Sequence, residues 1–149
     1  MLAARGVEDE MADPKVDLIR SVSLFRALGR RELERVAQLM DEIDVPADHV
    51  LMRQGDSGNE MFVITSGRVG IDRNGKRISE RAVGDAVGEM SLLSEGPRTA
   101  TVTTLEPCHL LVAGHREFHS LLEDMPTLRL AVLEGLANKI RMLDEAGAH

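Results

Sequence analysis

The segment from about residue 43 to residue 113 is broken into short β-prone runs by turn sequences, and this pattern constrains the fold more than any other feature. The turns read PADH, GDSGN, SG, NG and VGD. Asn74 and Gly75, between runs of alternating character, form the clearest hairpin signal because two-residue turns favour this dipeptide. Evenly spaced strands without intervening helices predict an antiparallel roll or barrel, not a parallel βαβ sheet.

Helical spacing flanks the β-rich segment on both sides. An acid followed by proline, Asp13 and Pro14, is typical of a helix start, and the apolar residues within 30–41 recur at helical spacing. After Gly114 the pattern predicts helices at 115–124 and 127–144. We therefore expect a mainly β fold, an antiparallel, jelly-roll-like β-roll of about eight strands with N-terminal helices and a C-terminal helix pair. The predicted strands are 43–45, 50–52, 60–65, 68–72, 76–82, 99–105 and 109–113.

Composition argues against several classes of protein. The net charge is −7, and the chain has three Phe but no Trp or Tyr, so a nucleic-acid surface built on basic and aromatic side chains is not expected. The chain has no apolar run of about 20 residues and no signal-peptide pattern, which predicts neither a membrane span nor secretion. Cys108 is the single cysteine and is expected to be a small buried strand residue. A cytoplasmic location is the default expectation.

Residues 87–102, VGEMSLLSEGPRTATV, place an acid and a base in a segment bounded by glycine and proline. Gly88 can adopt backbone angles closed to other residues, and Glu89–Leu93 is long enough for one or two helical turns. Arg98 follows Pro97, and its guanidinium can grip a phosphate through two hydrogen bonds, while Glu89 can accept from a hydroxyl. From the residues alone, a ligand cradle and a local Glu89–Arg98 salt bridge both stay open.

Residues 51–67, LMRQGDSGNEMFVITSG, are by themselves an ordinary hairpin with glycines around a buried strand. Together with residues 87–102, however, they are similar to the two signatures of the cyclic nucleotide-binding domain family. That family includes the catabolite activator protein, kinase regulatory subunits and cyclic-nucleotide-gated channels. The resemblance covers roughly residues 18–144, and residues 87–102 resemble the family's phosphate-binding cassette.

The resemblance implies a role for each cassette residue. Glu89 resembles the carboxylate that binds the ribose 2′-hydroxyl, and Arg98 resembles the arginine that pairs with the exocyclic oxygens of the cyclic phosphate. Thr99 and Ala100 stand where the family adds a hydroxyl and a backbone N–H near the phosphate. The residues that line the cassette helix through backbone groups are Gly88, Met90 and Ser91.

The chain also departs from the family pattern. Val87 is expected to form part of the wall of the binding site, and it stands where the family often has an aromatic or larger apolar residue. Met52 is unusual in the first signature. Because the chain has no Trp or Tyr to cap the base, a lid would come from the C-terminal helix. Asn138 or Arg141 on this helix could reach a purine edge, and the alternative is that both are solvated helix positions. In some members of the family, a threonine at the position of Thr99 accompanies cGMP binding. We nevertheless expect cAMP as the ligand, with cGMP as the alternative.

The other groups of polar residues in the sequence do not predict a catalytic site or a metal site. His115 and His119 are four residues apart on a predicted helix, but a third metal ligand is not evident, so surface or packing roles are expected. The sequence contains no P-loop, no nucleophile elbow and no cupin-type ligand set. We therefore expect neither enzyme activity nor a metal.

The expected function is a regulatory cAMP- or cGMP-binding module that signals through its C-terminal helix to an unknown effector or a dimer mate. The expected parts are an acidic tail (1–13), the nucleotide-binding roll (14–125) and a lid or dimerisation helix (126–149). No helix-turn-helix follows the last helix, so no direct nucleic-acid contact is expected. The alternatives are the sensor of a catabolite-activator-type regulator and an interaction domain with a vestigial pocket. The apolar stripe considered for dimerisation is Leu133, Leu136, Ile140 and Leu143.

Overall fold

The computed structural model describes residues 14–22, 25–94 and 96–145, with Lys139 and Leu143 described by their backbone only. The expected acidic tail at 1–13 lies outside these residues. Four α-helices occur in the described ranges: α1 (Pro14–Ser21), α2 (Arg30–Leu39), α3 (His115–Asp124) and α4 (Pro126–Glu145). None of the helices within these ranges is long and apolar enough to cross a membrane.

Ten strands and a 3₁₀ helix (Glu89–Leu92) lie between α2 and α3. All seven predicted strands are present, with ends shifted by at most two residues. The three strands without a counterpart in the prediction contain two residues each, too few for an alternating pattern to be visible. The strands are β1 (Asp41–Val45), β2 (Val50–Met52), β3 (Ser57–Gly58), β4 (Glu60–Ser66), β5 (Val69–Arg73), β6 (Lys76–Arg81), β7 (Ala86–Val87), β8 (Gly96–Pro97), β9 (Thr101–Thr104) and β10 (Cys108–Gly114).

The strands form two four-stranded antiparallel sheets, in the orders β1–β10–β4–β7 and β2–β9–β5–β6, and a two-stranded β3–β8 ribbon. The predicted hairpin joins β5 to β6, where Arg73 pairs with Lys76. Both turn residues have positive φ, 54° at Asn74 and 81° at Gly75, as a type I′ turn requires. These features confirm the expected mainly β, antiparallel roll with flanking helices.

Strand β4 is buried on both faces and separates two hydrophobic cores. Met61 and Val63 pack with the helices, whereas Phe62 and Ile64 point into the interior of the roll. A strand between two apolar layers needs a continuous apolar run in place of alternation. Cys108, 4% exposed, lies in the roll interior as expected.

The helices pack on the outer face of the first sheet. Phe25 and Phe118 meet at a ring-centroid distance of 5.7 Å and anchor this layer. The first half of α4 joins it through Leu128 and Val132, whereas Leu133 and Ile140 are 61% and 63% exposed. Helix α4 is thus held at its N-terminal half and presents apolar side chains to solvent.

Candidate ligand-binding site

The cassette residues converge on one cavity of about 450 Å³. This volume lies within the range of about 300–1,000 Å³ that is usual for small-molecule sites. Strands β5 and β6 also contribute to the lining, so the cavity belongs to the roll as a whole and not to the cassette alone. The predicted site residues that line it are Val87, Gly88, Glu89, Met90, Ser91, Arg98, Thr99 and Ala100.

Gly88 turns the chain from β7 into the 3₁₀ helix. Its backbone is left-handed, with φ 77° and ψ 15°. A Cβ atom here would lie 2.8 Å from Arg98 Nη1 and 2.8 Å from the Glu60 carbonyl oxygen. Both the backbone angles and the lack of space therefore require glycine. The predicted helical turn after Gly88 is confirmed as the 3₁₀ helix.

Arg98 is fixed by its backbone and by its side chain. Its N–H donates to the Asp56 carbonyl at 2.8 Å, and its own carbonyl accepts from Gly55 N–H at 2.9 Å. The guanidinium Nη1 donates to Ser91 Oγ at 2.7 Å. The β2–β3 turn and the 3₁₀ helix thus hold the arginine from two directions.

The charge of Arg98 is enclosed to an unusual degree, because the residue is only 9% exposed. Burial lowers the pKa of the guanidinium from its usual value, and the negative charge of Glu60 offsets part of that effect. A buried cation with incomplete compensation favours an anion as its neighbour. The site is therefore suited to a phosphate.

Gly58 creates the space in which the guanidinium lies. A Cβ atom at Gly58 would be 1.8 Å from Arg98 Nε and 2.2 Å from Cζ. The sequence predicts a glycine-rich hairpin here but gives no sign of this contact, because the two residues meet only when β3 pairs with β8. The sequence alone does not reveal that Gly58 makes room for the Arg98 side chain.

The other cassette residues surround Arg98. Glu89 is half-buried at the first position of the 3₁₀ helix, and Met90 is 49% exposed at the cavity. Ala100 is 9% exposed, whereas Thr99 is exposed and its carbonyl accepts from Arg73 Nε at 3.1 Å.

Strands β5 and β6 supply a second wall of the cavity. This wall combines apolar side chains with hydroxyl and guanidinium groups, and the Arg81 guanidinium donates to the Ser79 hydroxyl. The sequence predicts these strands and their hairpin but nothing in it assigns them to the site. The pairing of β5 with β9 brings their side chains to the cavity. The lining residues of this wall are Ile71, Arg73, Ile78, Ser79 and Arg81.

The two candidate lid residues, Asn138 and Arg141, are exposed on α4. Neither lines the cavity, and among the described side chains α4 contributes no lining residue. The role of α4 as a lid stays a prediction.

His115 and His119 stack with ring centroids 4.1 Å apart, and this contact agrees with a packing role. Within the described ranges, no group of three or more His, Cys, Asp or Glu side chains could hold a metal ion. The expectation that the chain is not an enzyme stays a prediction.

Comparisons with known proteins agree on one family. The family model described as "Cyclic nucleotide-binding domain" matches residues 42–125. A cAMP-dependent protein kinase regulatory subunit from Yarrowia lipolytica is 28% identical over 99% of this chain. The alignment spans 40% of that subunit's length, so this chain corresponds to less than half of the relative.

Solved structures show the same fold. The N-terminal domain of a transcriptional regulator from Streptomyces coelicolor A3(2) superposes with a TM-score of 0.79 and 30% identity, covering 87% of this chain and 94% of that domain. The regulatory domain of Toxoplasma gondii PKA, crystallised with cAMP, has a TM-score of 0.68 and 29% identity, covering 87% of this chain and 51% of that one. Because the family model covers more than half of the chain, the chain belongs to the cyclic nucleotide-binding domain family.

Proposed function

We propose that this regulatory domain binds a cyclic purine mononucleotide, cAMP in preference to cGMP, with its phosphate at Arg98. The observation that carries the proposal is the burial of Arg98 beside the cavity, with the Ser91 hydroxyl as the hydrogen-bond partner of its guanidinium. A cyclic phosphate would supply the negative charge that burial makes favourable.

The other roles follow from position in the cavity. Glu89 would accept a hydrogen bond from the ribose 2′-hydroxyl, and Thr99 and Ala100 would contribute a hydroxyl and a backbone N–H beside the phosphate. These assignments are supported by the family match and by the lining of one cavity by these residues.

Two of the relatives support the preference for cAMP, one named as a cAMP-dependent kinase subunit and one crystallised with cAMP. We retain cGMP as the alternative because the Thr99 side chain is exposed and can turn toward a base. Both nucleotides are therefore compared in the test.

The signal would pass through α4 to an effector or a second copy of the chain. Helix α4 follows α3 directly, and its described side chains that pack on the helix layer lie between Leu128 and Leu136. A shift of the cassette and α3 could therefore move the exposed part of α4 that follows. The similarity to the N-terminal domain of a transcriptional regulator supports the alternative that this domain is the sensor of such a regulator.

Calorimetric titration with cAMP and with cGMP tests the proposal directly. Replacing Arg98 by alanine should weaken binding by about ten- to hundredfold, because a charge-assisted hydrogen bond contributes about 1.5–3 kcal/mol. Arg53→Ala removes the same charge from the neighbouring turn and should leave affinity unchanged, since Arg53 does not line the cavity. Equal affinities for wild type and Arg98→Ala would contradict the phosphate role.

A further inference from the structure

We infer that His115, the first residue of α3, is a positioning residue for the cassette. Its imidazole donates a hydrogen bond to the Ser91 carbonyl. This bond fixes the Ser91 backbone and therefore the position from which the Ser91 hydroxyl accepts a hydrogen bond from the Arg98 guanidinium. The inference rests on the proposed function, because the effect of His115 on binding presupposes that a nucleotide binds at Arg98. It assigns a role to a residue that lies outside the cassette and does not line the cavity.

The Ser91 carbonyl lies near the C-terminal end of the short 3₁₀ helix, where carbonyl groups have no hydrogen-bond partner within the helix. The 3₁₀ helix has only four residues, and the last carbonyls of any helix cannot be satisfied within it. Met90 O accepts from Leu93 N–H at 3.1 Å and from Ser94 N–H at 3.0 Å. Ser91 O is instead 2.9 Å from His115 Nδ1. Because a carbonyl can only accept, Nδ1 must carry the proton.

Two of the three polar groups of Ser91 link α3 to Arg98, while its backbone N–H donates to the Gly88 carbonyl at 2.9 Å. The carbonyl accepts from His115 on one side, and the hydroxyl accepts from Arg98 Nη1 at 2.7 Å on the other. A rotation or shift of the Ser91 backbone would therefore move the hydroxyl away from the guanidinium. His115 restrains this movement by fixing the carbonyl.

His115 is itself held in place by two further contacts. Its backbone N–H donates to the Asn59 carbonyl at 2.7 Å, next to the β3–β4 junction. Its ring stacks on His119, one helical turn later, with an interplanar angle of 31°. The Nε2 atom of His119 is buried and has no hydrogen-bond partner among the described residues. His119 thus supports His115 through ring contact.

A purely structural role for the histidine pair would stabilise the helix layer without affecting affinity. Two substitutions of His115 separate the alternatives. His115→Phe keeps an aromatic ring against His119 but removes the donor to Ser91. His115→Asn removes the ring but places an amide N–H near the position of Nδ1.

Calorimetry with cAMP is the first test. We expect His115→Phe to weaken binding by about three- to tenfold, the effect of one lost hydrogen bond, and His115→Asn to stay within about twofold of wild type. His119→Phe keeps the ring contact and is the matched control, with unchanged affinity. In an Arg98→Ala background, His115→Phe should have no further effect, because the two residues act through the same Ser91.

Wild-type affinity in His115→Phe, or equal loss in His115→Asn and His115→Phe, would overturn the inference. Long-range ¹H–¹⁵N spectra of the ligand-free wild type provide a test that needs neither a variant nor a nucleotide. At a pH of about 8, where imidazoles are mostly neutral, we expect the Nδ1–H tautomer for His115. An Nε2–H tautomer would refute the link to Ser91, whereas wild type that binds neither cAMP nor cGMP would refute the proposed function.

Discussion

Arg98 is the residue whose environment is hardest to explain without a ligand. A buried guanidinium costs free energy unless hydrogen bonds and opposite charges surround it, and here the side chain has the Ser91 hydroxyl and the nearby charge of Glu60. The chain leaves space for this side chain by placing glycine at 58 and 88, where a single added carbon would collide with it. The two glycines and Arg98 therefore depend on one another, because the arginine side chain fits only where both glycines are present.

Gly58→Ala tests this dependence at the scale of single residues. The added methyl would lie within 2.2 Å of Arg98 Cζ, so the guanidinium must move, and we expect cAMP affinity to fall by about tenfold or more, as for the loss of a charge-assisted contact. Calorimetry measures the loss, and thermal melting checks that the fold is kept.

Ser57→Ala is the matched control, because Ser57 lies next to Gly58 in the same β3–β8 ribbon, where it pairs with Pro97, and does not line the cavity. We expect it to leave affinity unchanged. An unchanged affinity in Gly58→Ala would mean that the position of the guanidinium does not matter for binding.

Two elements of the fold carry features with measurable consequences, the β1–β10 pair and helix α4. Across β1 and β10, His109 Nδ1 lies 2.7 Å from Asp44 Oδ1 and Nε2 lies 3.0 Å from Glu42 Oε1. The hydrogen bond to Asp44 and then that to Glu42 raise the pKa of His109 above its usual value. The imidazolium form therefore stabilises this strand pair.

The His109 cluster should make stability depend on pH. Because the pKa is raised in the folded state, the stabilisation is fully present below the unfolded pKa of about 6.5 and is lost as the pH rises through the folded value. The difference in melting temperature between wild type and His109→Gln should therefore shrink from a pH of about 5 to a pH of about 9. His49→Gln is the control, since the His49 ring has no carboxylate partner among the described residues. A difference that is constant with pH would contradict the cluster's role.

Dimerisation through helix α4 stays a prediction. Of the four apolar stripe residues, Leu133 and Ile140 are exposed and Leu136 packs partly on the helix layer, while the side chain of Leu143 lies outside the described residues. If α4 pairs with a second copy, Leu133→Glu with Ile140→Glu should convert a dimer into a monomer, because burying two charges in an apolar seam is costly.

Sedimentation velocity measures the change in mass. Glu134→Gln is the control on the same helix. It removes one negative charge outside the apolar stripe and should leave the dimer intact. A monomeric wild type at high concentration would rule out pairing through α4.

At the scale of the whole molecule, two cores share β4 and leave the ligand cavity at the edge of the roll. Phe62 pairs with Val87 across β4 and β7, and this pairing places the start of the cassette against the buried strand. Ligand binding is therefore expected to stabilise the domain as a unit and not only the cassette.

A melting experiment with cAMP tests this expectation. At a concentration of 100 times the dissociation constant, a ligand that binds only the folded state adds about 2.7 kcal/mol. For a domain of this size that corresponds to a rise in melting temperature of roughly 5–10 °C. The same concentration of 5′-AMP is the control for nucleotide without a cyclic phosphate. An interaction domain with a vestigial pocket predicts no shift with cAMP.

Much of the fold could be predicted from local pattern. The strands, the Asn74–Gly75 turn and the four helices are visible in the sequence because each depends on residues close together in the chain. The cassette was recognisable for the same reason, since Gly88, Glu89 and Arg98 lie within one short segment. The two-residue strands β3, β7 and β8 were not predicted, because only their partners define them.

The contacts that complete the site were decided by tertiary structure. Gly58 reaches Arg98 through the β3–β8 ribbon, Ser79 and Arg81 join the cavity because β5 pairs with β9, and His115 reaches Ser91 from another helix. Each joins segments that are far apart in the chain, and only the pairing of strands and the packing of helices brings them within contact distance. Local pattern was thus sufficient for the four helices, the seven longer strands and the charged residues of the cassette. The space around Arg98, and the groups that hold it there, exist only in the folded molecule.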